Sequence, residues 1–289
     1  MGRGLHKASQ ELIQRAYDVL AVEHPSGVRR VAYALFGNQA EARVKKLGKQ
    51  LANARRRGLI PWDWISDDTR PSIAPFVVED MNDLRRINAA CPDYDPWPSQ
   101  GKRVVIWSEK SLGGTLKPLL DEYLVEFQVH HGNSSWTEFY RYAQWTKAHR
   151  DLRLVILYVG DHDCKGLRIS EDDIPKRMSD RGAGNWECQR VAILQSDAEA
   201  VETTDRDRFK AGDKDIAWYR ARTGLSYGVE VEALSSNILR DRVEAAILAE
   251  ITDPDGWSRV TTASRLVQES WASYVAAWQT PAIPTLGEE

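Results

Sequence analysis

Over much of the chain, short unbroken apolar runs alternate with segments whose apolar residues recur every three or four positions. Residues 103–107 (RVVIW), 154–159 (LVILYV) and 190–194 (RVAIL) are of the first kind. Runs this short, closed by glycine or polar residues, read as strands buried on both faces. Helical periods fill the intervals, over 116–127 and 135–149, with a further short strand near Val129. This alternation predicts an α/β domain with a mainly parallel sheet flanked by helices. Residues 227–234 (YGVEVEAL) alternate apolar with polar and predict a last strand. Ser235-Ser236 then caps a helix through Ile251, and a final helix over 258–278 carries Trp271, Tyr274 and Trp278 at helical spacing, against the core or a second subunit.

The first 70 residues have a different pattern. Ser9 caps a helix with Leu12, Ile13, Ala16 and Leu20 on one face, closed by Pro25-Ser26-Gly27. A short helix over 28–36 ends at Gly37-Asn38, and a third spans 39–57 with Val44, Leu47, Leu51 and Ala54 as its buried stripe. Arg43, Lys45, Lys46, Lys49, Arg56 and Arg57 lie off that stripe, and the proline-broken LIPWDWISDDTR after it predicts a small β wing. Helix, short helix, basic helix and wing predict a winged-helix module, with the third helix and Arg30 meeting DNA. Residues 71–100 contain a helical pattern near 78–90 and then CPDYDPWPSQG, rich in proline and aspartate, which marks a boundary. The expected organisation is a winged-helix domain over 1–75, a connector over 76–100, the α/β domain over 101–255, and a C-terminal helix and tail over 256–289.

Charge sharpens this division. The whole chain has a net charge of −3, yet residues 1–70 carry 13 Lys/Arg against 7 Asp/Glu and the remainder 26 against 35. A basic first module joined to an acidic body is the sign pattern of a part that meets phosphates and a part that holds metal. No apolar stretch approaches the roughly 20 residues needed to cross a bilayer. MGRGLHKASQ lacks a signal-peptide core, so a cytoplasmic, DNA-associated protein without a membrane partner is expected. Cys91, Cys164 and Cys188 are odd in number and form no C-x-x-C, which argues against a disulfide framework or a zinc ribbon.

The candidate chemistry lies at strand ends. Residues 154–159 stop at Gly160-Asp161-His162-Asp163, and two aspartates one residue apart direct both carboxylates into the crevice where α/β sheets hold ligands. Such a pair repels itself unless a cation sits between, and a hard divalent ion with oxygen ligands suits the place, so Mg²⁺ is the expected cofactor. Glu109 follows the 103–107 strand and reaches the same edge if the two strands are parallel neighbours. In the second helix Tyr33 falls off the stripe of Val28, Val31, Ala32 and Leu35, with Arg29 one turn earlier on the same side. A phenol beside a guanidinium can attack a phosphodiester while the arginine stabilises charge on the phosphoryl group. A half-buried tyrosine packing against Phe36 fits the same positions.

One glutamate after a strand and Asp-x-Asp after a later one resembles the acidic signature of toprim domains, the magnesium-binding fold of topoisomerases, primases and some nucleases. With the winged-helix pattern ahead of it, the order of parts over 25–250 resembles the A subunit of topoisomerase VI and the meiotic double-strand-break transesterases. The small size is most similar to the reduced "mini-A" members of prokaryotes and their viruses. The resemblance implies that Tyr33 and Arg29, in Arg29-Arg30-Val31-Ala32-Tyr33, are catalytic, and that Glu109 (WSEK), Asp161 and Asp163 (GDHDCKG) hold Mg²⁺. It also implies a type IIB-like topoisomerase (isomerase) activity on double-stranded DNA, through a 5′-phosphotyrosyl link. The tyrosine of one subunit would work with the metal of its partner in a homodimer. A separate ATPase subunit would be needed for strand passage, since this chain has no G-x-x-x-x-G-K-[ST]. Two departures stand out: Ala32 precedes Tyr33 where the wider family often has a second aromatic residue, and Cys164 follows Asp163 where proline is common. A non-cleaving architectural or protective DNA binder, or a toprim nuclease using metal-activated water, fits the same motifs.

Overall fold

The computed structural model describes residues 7–66, 93–130, 136–209, 213 and 215–277. They fall into two compact units, one built from 7–66 with 101–250 and the other from 93–100 with 251–277. The helix expected over 78–90 lies outside the described residues.

The first unit opens with three helices. α1 (Lys7–Glu23) buries Ile13, Ala16 and Leu20 along one stripe. After the two-residue strand β1 (Ser26–Gly27), α2 (Val28–Phe36) stops where Gly37 takes φ +54°. A Cβ at Gly37 would come within 2.8 Å of Thr204 O, so both backbone and space reserve the position for glycine. α3 (Ala40–Arg56) buries Leu47, Leu51 and Ala54, with Val44 at the margin. These stripes meet Ile60 and Ile65 in one apolar core. The segment expected to form a wing makes a single turn, Trp62–Trp64, and then β2 (Ile65–Ser66), which pairs in parallel with β1. Trp64 stacks on the His24 ring at 4.7 Å, which draws the segment back onto the end of α1. The rest of that segment lies outside the described residues.

The body of the unit is α/β. Its elements run β3 (Lys102–Ser108), α4 (Gly113–Tyr123), β4 (Glu126–Val129), α5 (Trp136–Ala148), β5 (Arg153–Val159), α6 (Cys164–Arg168), α7 (Ile174–Asp180) and β6 (Trp186–Ala192). The four strands form one parallel sheet in the order β4-β3-β5-β6, flanked by helices. Central β3 and β5 are covered on both faces, which is why successive residues from Val104 and from Leu154 are apolar and buried. The helix expected to reach Phe127 ends at Tyr123, because Leu124 turns into the left-handed region (φ 52°) and Phe127 joins edge strand β4. α6 passes into α7 through a π turn at Ile169–Asp173; Pro175 has no N–H for the ordinary bond four residues back, and the wider turn absorbs the loss.

Three further helices follow, α8 (Gln195–Ala200), α9 (Ile216–Thr223) and α10 (Ser236–Ala249). The last strand expected over 227–234 is not a strand. The segment makes single antiparallel bridges, His162 with Val229 and Asp207 with Gly228, and then a 3-10 turn at Val231–Ala233. Its N–H at Val231 donates to the Asp161 carboxylate (2.8 Å) instead of to a neighbouring strand.

In the second unit α11 (Pro254–Ala277) carries Trp257, whose ring meets Trp97 edge-on at 4.9 Å. Gln100 and Asp253 exchange two hydrogen bonds, from Gln100 Nε2 to Asp253 O (2.9 Å) and from Asp253 N to Gln100 Oε1 (2.8 Å). Trp271 and Tyr274, expected to pack on the core or on a second subunit, are exposed in the single chain and lie against each other at 5.5 Å; Trp278 is outside the described residues. No helix among the described residues is long and apolar enough to cross a membrane.

Candidate active site

The site is built where the two central strands end. β3 and β5 are in register to their last pair, Ser108 with Val159, so Glu109 and Asp161 leave the sheet side by side. Asp161 is buried; its Oδ1 accepts from Val231 N and its Oδ2 lies 3.1 Å from Lys110 Nζ. Asp163 caps α6, accepting from Gly166 N at 2.6 Å. That turn is tight: a Cβ on Gly166 would stand 2.2 Å from Asp161 O and 3.2 Å from Asp163 Oδ1. Gly166→Ala is therefore expected to cost about 1–3 kcal/mol or more, seen as a lower urea midpoint; an unchanged midpoint would mean the loop has slack that this packing denies.

Burial raises the pKa of several of these groups. Desolvation first, offset by Lys165 and reinforced by Asp161 and Asp163, pushes the Glu109 carboxyl up to about 7. Glu109 Oε1 is buried without a hydrogen-bond partner. Glu232, which the alternation placed on a strand face with Glu230, is buried too and is pushed up to about 7, with Lys110 opposing that rise. Lys110 stands among Asp161 (3.1 Å), Glu232 (3.4 Å) and Glu230 (3.5 Å). These charges outweigh its burial and hold its pKa above the ordinary lysine value. Glu232 Oε2 is close enough to feel the ammonium but is not aligned for a hydrogen bond.

The N-terminal helices supply the opposite wall. Arg29 contacts Glu41 (2.7 Å), Glu230 (3.2 Å) and Glu232 (3.7 Å). Tyr33, expected off the core stripe, is buried, with only 4% of its surface exposed, in the apolar core of the N-terminal helices. Its hydroxyl donates to Asp207 Oδ2 at 3.5 Å. Burial, then Glu230 and Asp207, raise the phenol pKa far above its ordinary value. Arg29, Tyr33, Asp163, Lys165, Asp207 and Glu230 line one cleft of about 560 Å³.

The basic residues have mixed fates. Arg30, expected on DNA, is committed internally: it forks onto Glu23 (2.8 and 3.0 Å) and donates to Glu232 O (2.7 Å), tying α1 and α2 to the 231–233 turn. A guanidinium held this way is not presented to a phosphate. Arg43, Lys45, Lys46, Lys49, Arg56 and Arg57 are exposed along α3. Arg43 lies over the Phe36 ring at 5.0 Å, and Arg57 Nε donates to Asn53 Oδ1 at 3.3 Å. His130 packs on Trp107 at 4.2 Å, and burial lowers its pKa to about 4.

Among the described residues, no group of three or more His, Cys, Asp or Glu converges as a formed metal cage. The donors of Glu109, Asp161 and Asp163 still fit a hard dication in kind: all are carboxylate oxygens, and Glu109 Oε1 is buried and unpartnered. Lys110, Asp207 and Arg190 were not singled out from the sequence. Lys110 adjoins Glu109 in WSEK, whereas nothing local distinguishes the other two. Comparisons with models of known families, with curated proteins and with solved structures find no match to this chain.

Proposed function

We propose that the chain is a DNA strand transesterase of the topoisomerase VI A type, with a winged-helix module in its first helices and a toprim domain in its sheet. The observation that carries this reading is the shared cleft: Tyr33 and Arg29 open into the same cavity as Asp163 and Glu230, at the carboxyl ends of parallel strands. The exposed cations of α3 supply the phosphate contacts for double-stranded DNA. Tyr33 is the nucleophile, and Arg29, once a phosphate displaces its carboxylate partners, stabilises the charge on the phosphoryl oxygens. Mg²⁺ held by Glu109, Asp161 and Asp163 would supply positive charge for the phosphate and the leaving 3′ oxygen. A homodimer and a separate ATPase subunit belong to the reading as partners. Within one chain Tyr33 shares its cleft with Asp163 but not with Glu109 or Asp161, which leaves the tyrosine of one subunit to work with the metal site of its partner.

The resting arrangement favours one competing reading. A tyrosine this buried, with Arg29 engaged by carboxylates, suits a protein that binds DNA and seldom cuts it. The experiment is supercoiled plasmid with Mg²⁺, stopped in detergent and resolved with and without protease, beside Tyr33→Phe. Transesterase activity requires DNA held by protein until protease is added, and its complete loss in Tyr33→Phe. Plasmid that is shifted but unbroken and free of adduct refutes cleavage by this chain alone, and metal-dependent breakage without adduct identifies a nuclease.

A further inference from the structure

We propose that Asp207 is the general base that takes the proton of Tyr33 during strand transfer. The inference rests on the transesterase reading and adds a catalytic residue that neither the motifs nor the resemblance supplies. A phenol must lose its proton as the new oxygen–phosphorus bond forms. Burial and the neighbouring carboxylates leave Tyr33 essentially without phenolate at neutral pH, so the proton has to move within the step to a base in reach.

Asp207 is that base by position. Its Oδ2 accepts from the Tyr33 hydroxyl at 3.5 Å, a separation of the kind that shortens when substrate closes a site. Its backbone is pinned on both sides, since Asp207 N donates to Gly228 O (2.8 Å) and Gly228 N donates to Asp207 O (2.9 Å). The carboxylate is thus held at a fixed place on the cleft wall, although the residue lies outside any helix or strand.

Apart from Glu109, whose Oε1 has no hydrogen-bond partner, the other carboxylates of the cluster already have partners. Asp161 takes Val231 N and Lys110, Glu230 also reaches the Tyr33 hydroxyl but is held by Arg29 and Lys110, Glu232 faces the same two cations, and Asp163 takes Gly166 N. Among the described residues, no Lys or Arg forms an ion pair with Asp207. The charged groups facing it are Glu230, Asp161 and Lys110, with Tyr33 as its hydrogen-bond donor; burial and the two carboxylates push its pKa up to about 6. It is therefore ionised at neutral pH and a stronger base than an ordinary aspartate.

The step balances without any further reagent. Tyr33 Oη bonds to phosphorus and its proton passes to Asp207 Oδ2. The bond from phosphorus to the 3′ oxygen breaks, and its electron pair leaves on that oxygen, which takes a proton from water. Asp207 returns its proton to the hydroxide so formed, and resealing runs the same transfers backwards. Arg29 stays charged throughout.

The test follows the rate of covalent adduct formation on supercoiled plasmid with Mg²⁺ for the full chain and for Asp207→Asn, Asp207→Glu and Tyr33→Phe. Plasmid binding and thermal melting are measured beside it. Asp207→Asn should bind plasmid and melt like the parent, yet form adduct roughly 100-fold more slowly or worse. Asp207→Glu should recover part of the rate. The parent rate should fall as the pH drops through about 6, and Asp207→Asn should lose that fall. An Asp207→Asn rate equal to the parent's, with the same pH profile, overturns the assignment and leaves the transesterase reading standing. A parent that forms no adduct, or a Tyr33→Phe variant that still does, overturns the transesterase reading and the assignment with it.

Discussion

Replacing Lys110 with methionine is expected to lower the unfolding free energy by about 3–5 kcal/mol, because it strands buried carboxylates rather than merely deleting a contact. The ammonium lies within 3.5 Å of Asp161, Glu230 and Glu232, and its own side chain is only 18% exposed. Arg29 alone would then face Glu230 and Glu232 at 3.2 and 3.7 Å, with Glu41 competing for the same guanidinium. The pH dependence has a definite sign. Glu232 is already raised from 4.5 to about 7, and removing the cation that opposes the rise pushes it further. A carboxyl whose folded pKa exceeds its unfolded one binds protons preferentially in the folded state, so its cost is absent below 4.5 and complete above the folded value. The deficit of Lys110→Met should therefore be largest at alkaline pH and shrink as the solution is acidified. Millimolar Mg²⁺ should also restore part of it if the carboxylates admit a cation. Urea unfolding at several pH values, with and without the metal, reads both effects. A variant as stable as the parent at every pH would show that Lys110 is not the counter-charge.

The legible parts of the chain are those whose physics is local. Strands β3 and β5 are readable because a central strand of a parallel sheet must be apolar at successive positions, and 104–107 and 154–159 are. Glu109 and Asp161 are readable as neighbours because both follow such strands, and the register Ser108 with Val159 places them so. Residues 227–234 mislead for an equally physical reason. Val229 and Val231 are buried while Glu230 and Glu232 serve Arg29 and Lys110, so the alternation is genuine but belongs to a crossing segment that makes single bridges and gives its Val231 N–H to a carboxylate. Arg29 and Arg30 are adjacent, and periodicity cannot tell that one faces the cleft while the other forks onto Glu23. Tyr33 falls off the stripe of its own helix, yet it is buried in the core that the three helices share, and its hydroxyl reaches Asp207, 174 residues further on. The proposed winged-helix and toprim architecture likewise depends on how such distant segments meet, which no local pattern encodes.

Arg190 is the clearest case of a residue whose importance is invisible in sequence, and Arg190→Met should cost roughly 1.5–3 kcal/mol for each charge-assisted hydrogen bond that no other donor replaces. From strand β6 its Nη1 donates to Gly160 O (3.0 Å), Asp161 O (3.1 Å) and Ile193 O (3.3 Å), and its Nη2 to Gly166 O (2.6 Å) and Ser170 Oγ (2.8 Å). Its guanidinium also lies over the Tyr158 ring at 5.0 Å. One side chain thus satisfies the carbonyls on both sides of the Asp-x-Asp turn. A methionine of similar length would remove this donor from all of them; Gly160 O would keep Ile193 N (2.8 Å) and Gly166 O would keep Ile169 N, and an acceptor left buried without a donor costs roughly 1–3 kcal/mol. Arg190→Lys keeps the charge but cannot fork across the turn, so an intermediate loss is expected. The effect should reach the chemistry, because the same carbonyls fix where the Asp161 and Asp163 carboxylates point. On the transesterase reading, both variants should therefore lose Mg²⁺-dependent adduct formation by more than their population of unfolded chain accounts for. Chemical unfolding beside the adduct assay separates the two losses, and a methionine variant with the parent's unfolding midpoint would show that the turn holds its shape without the arginine.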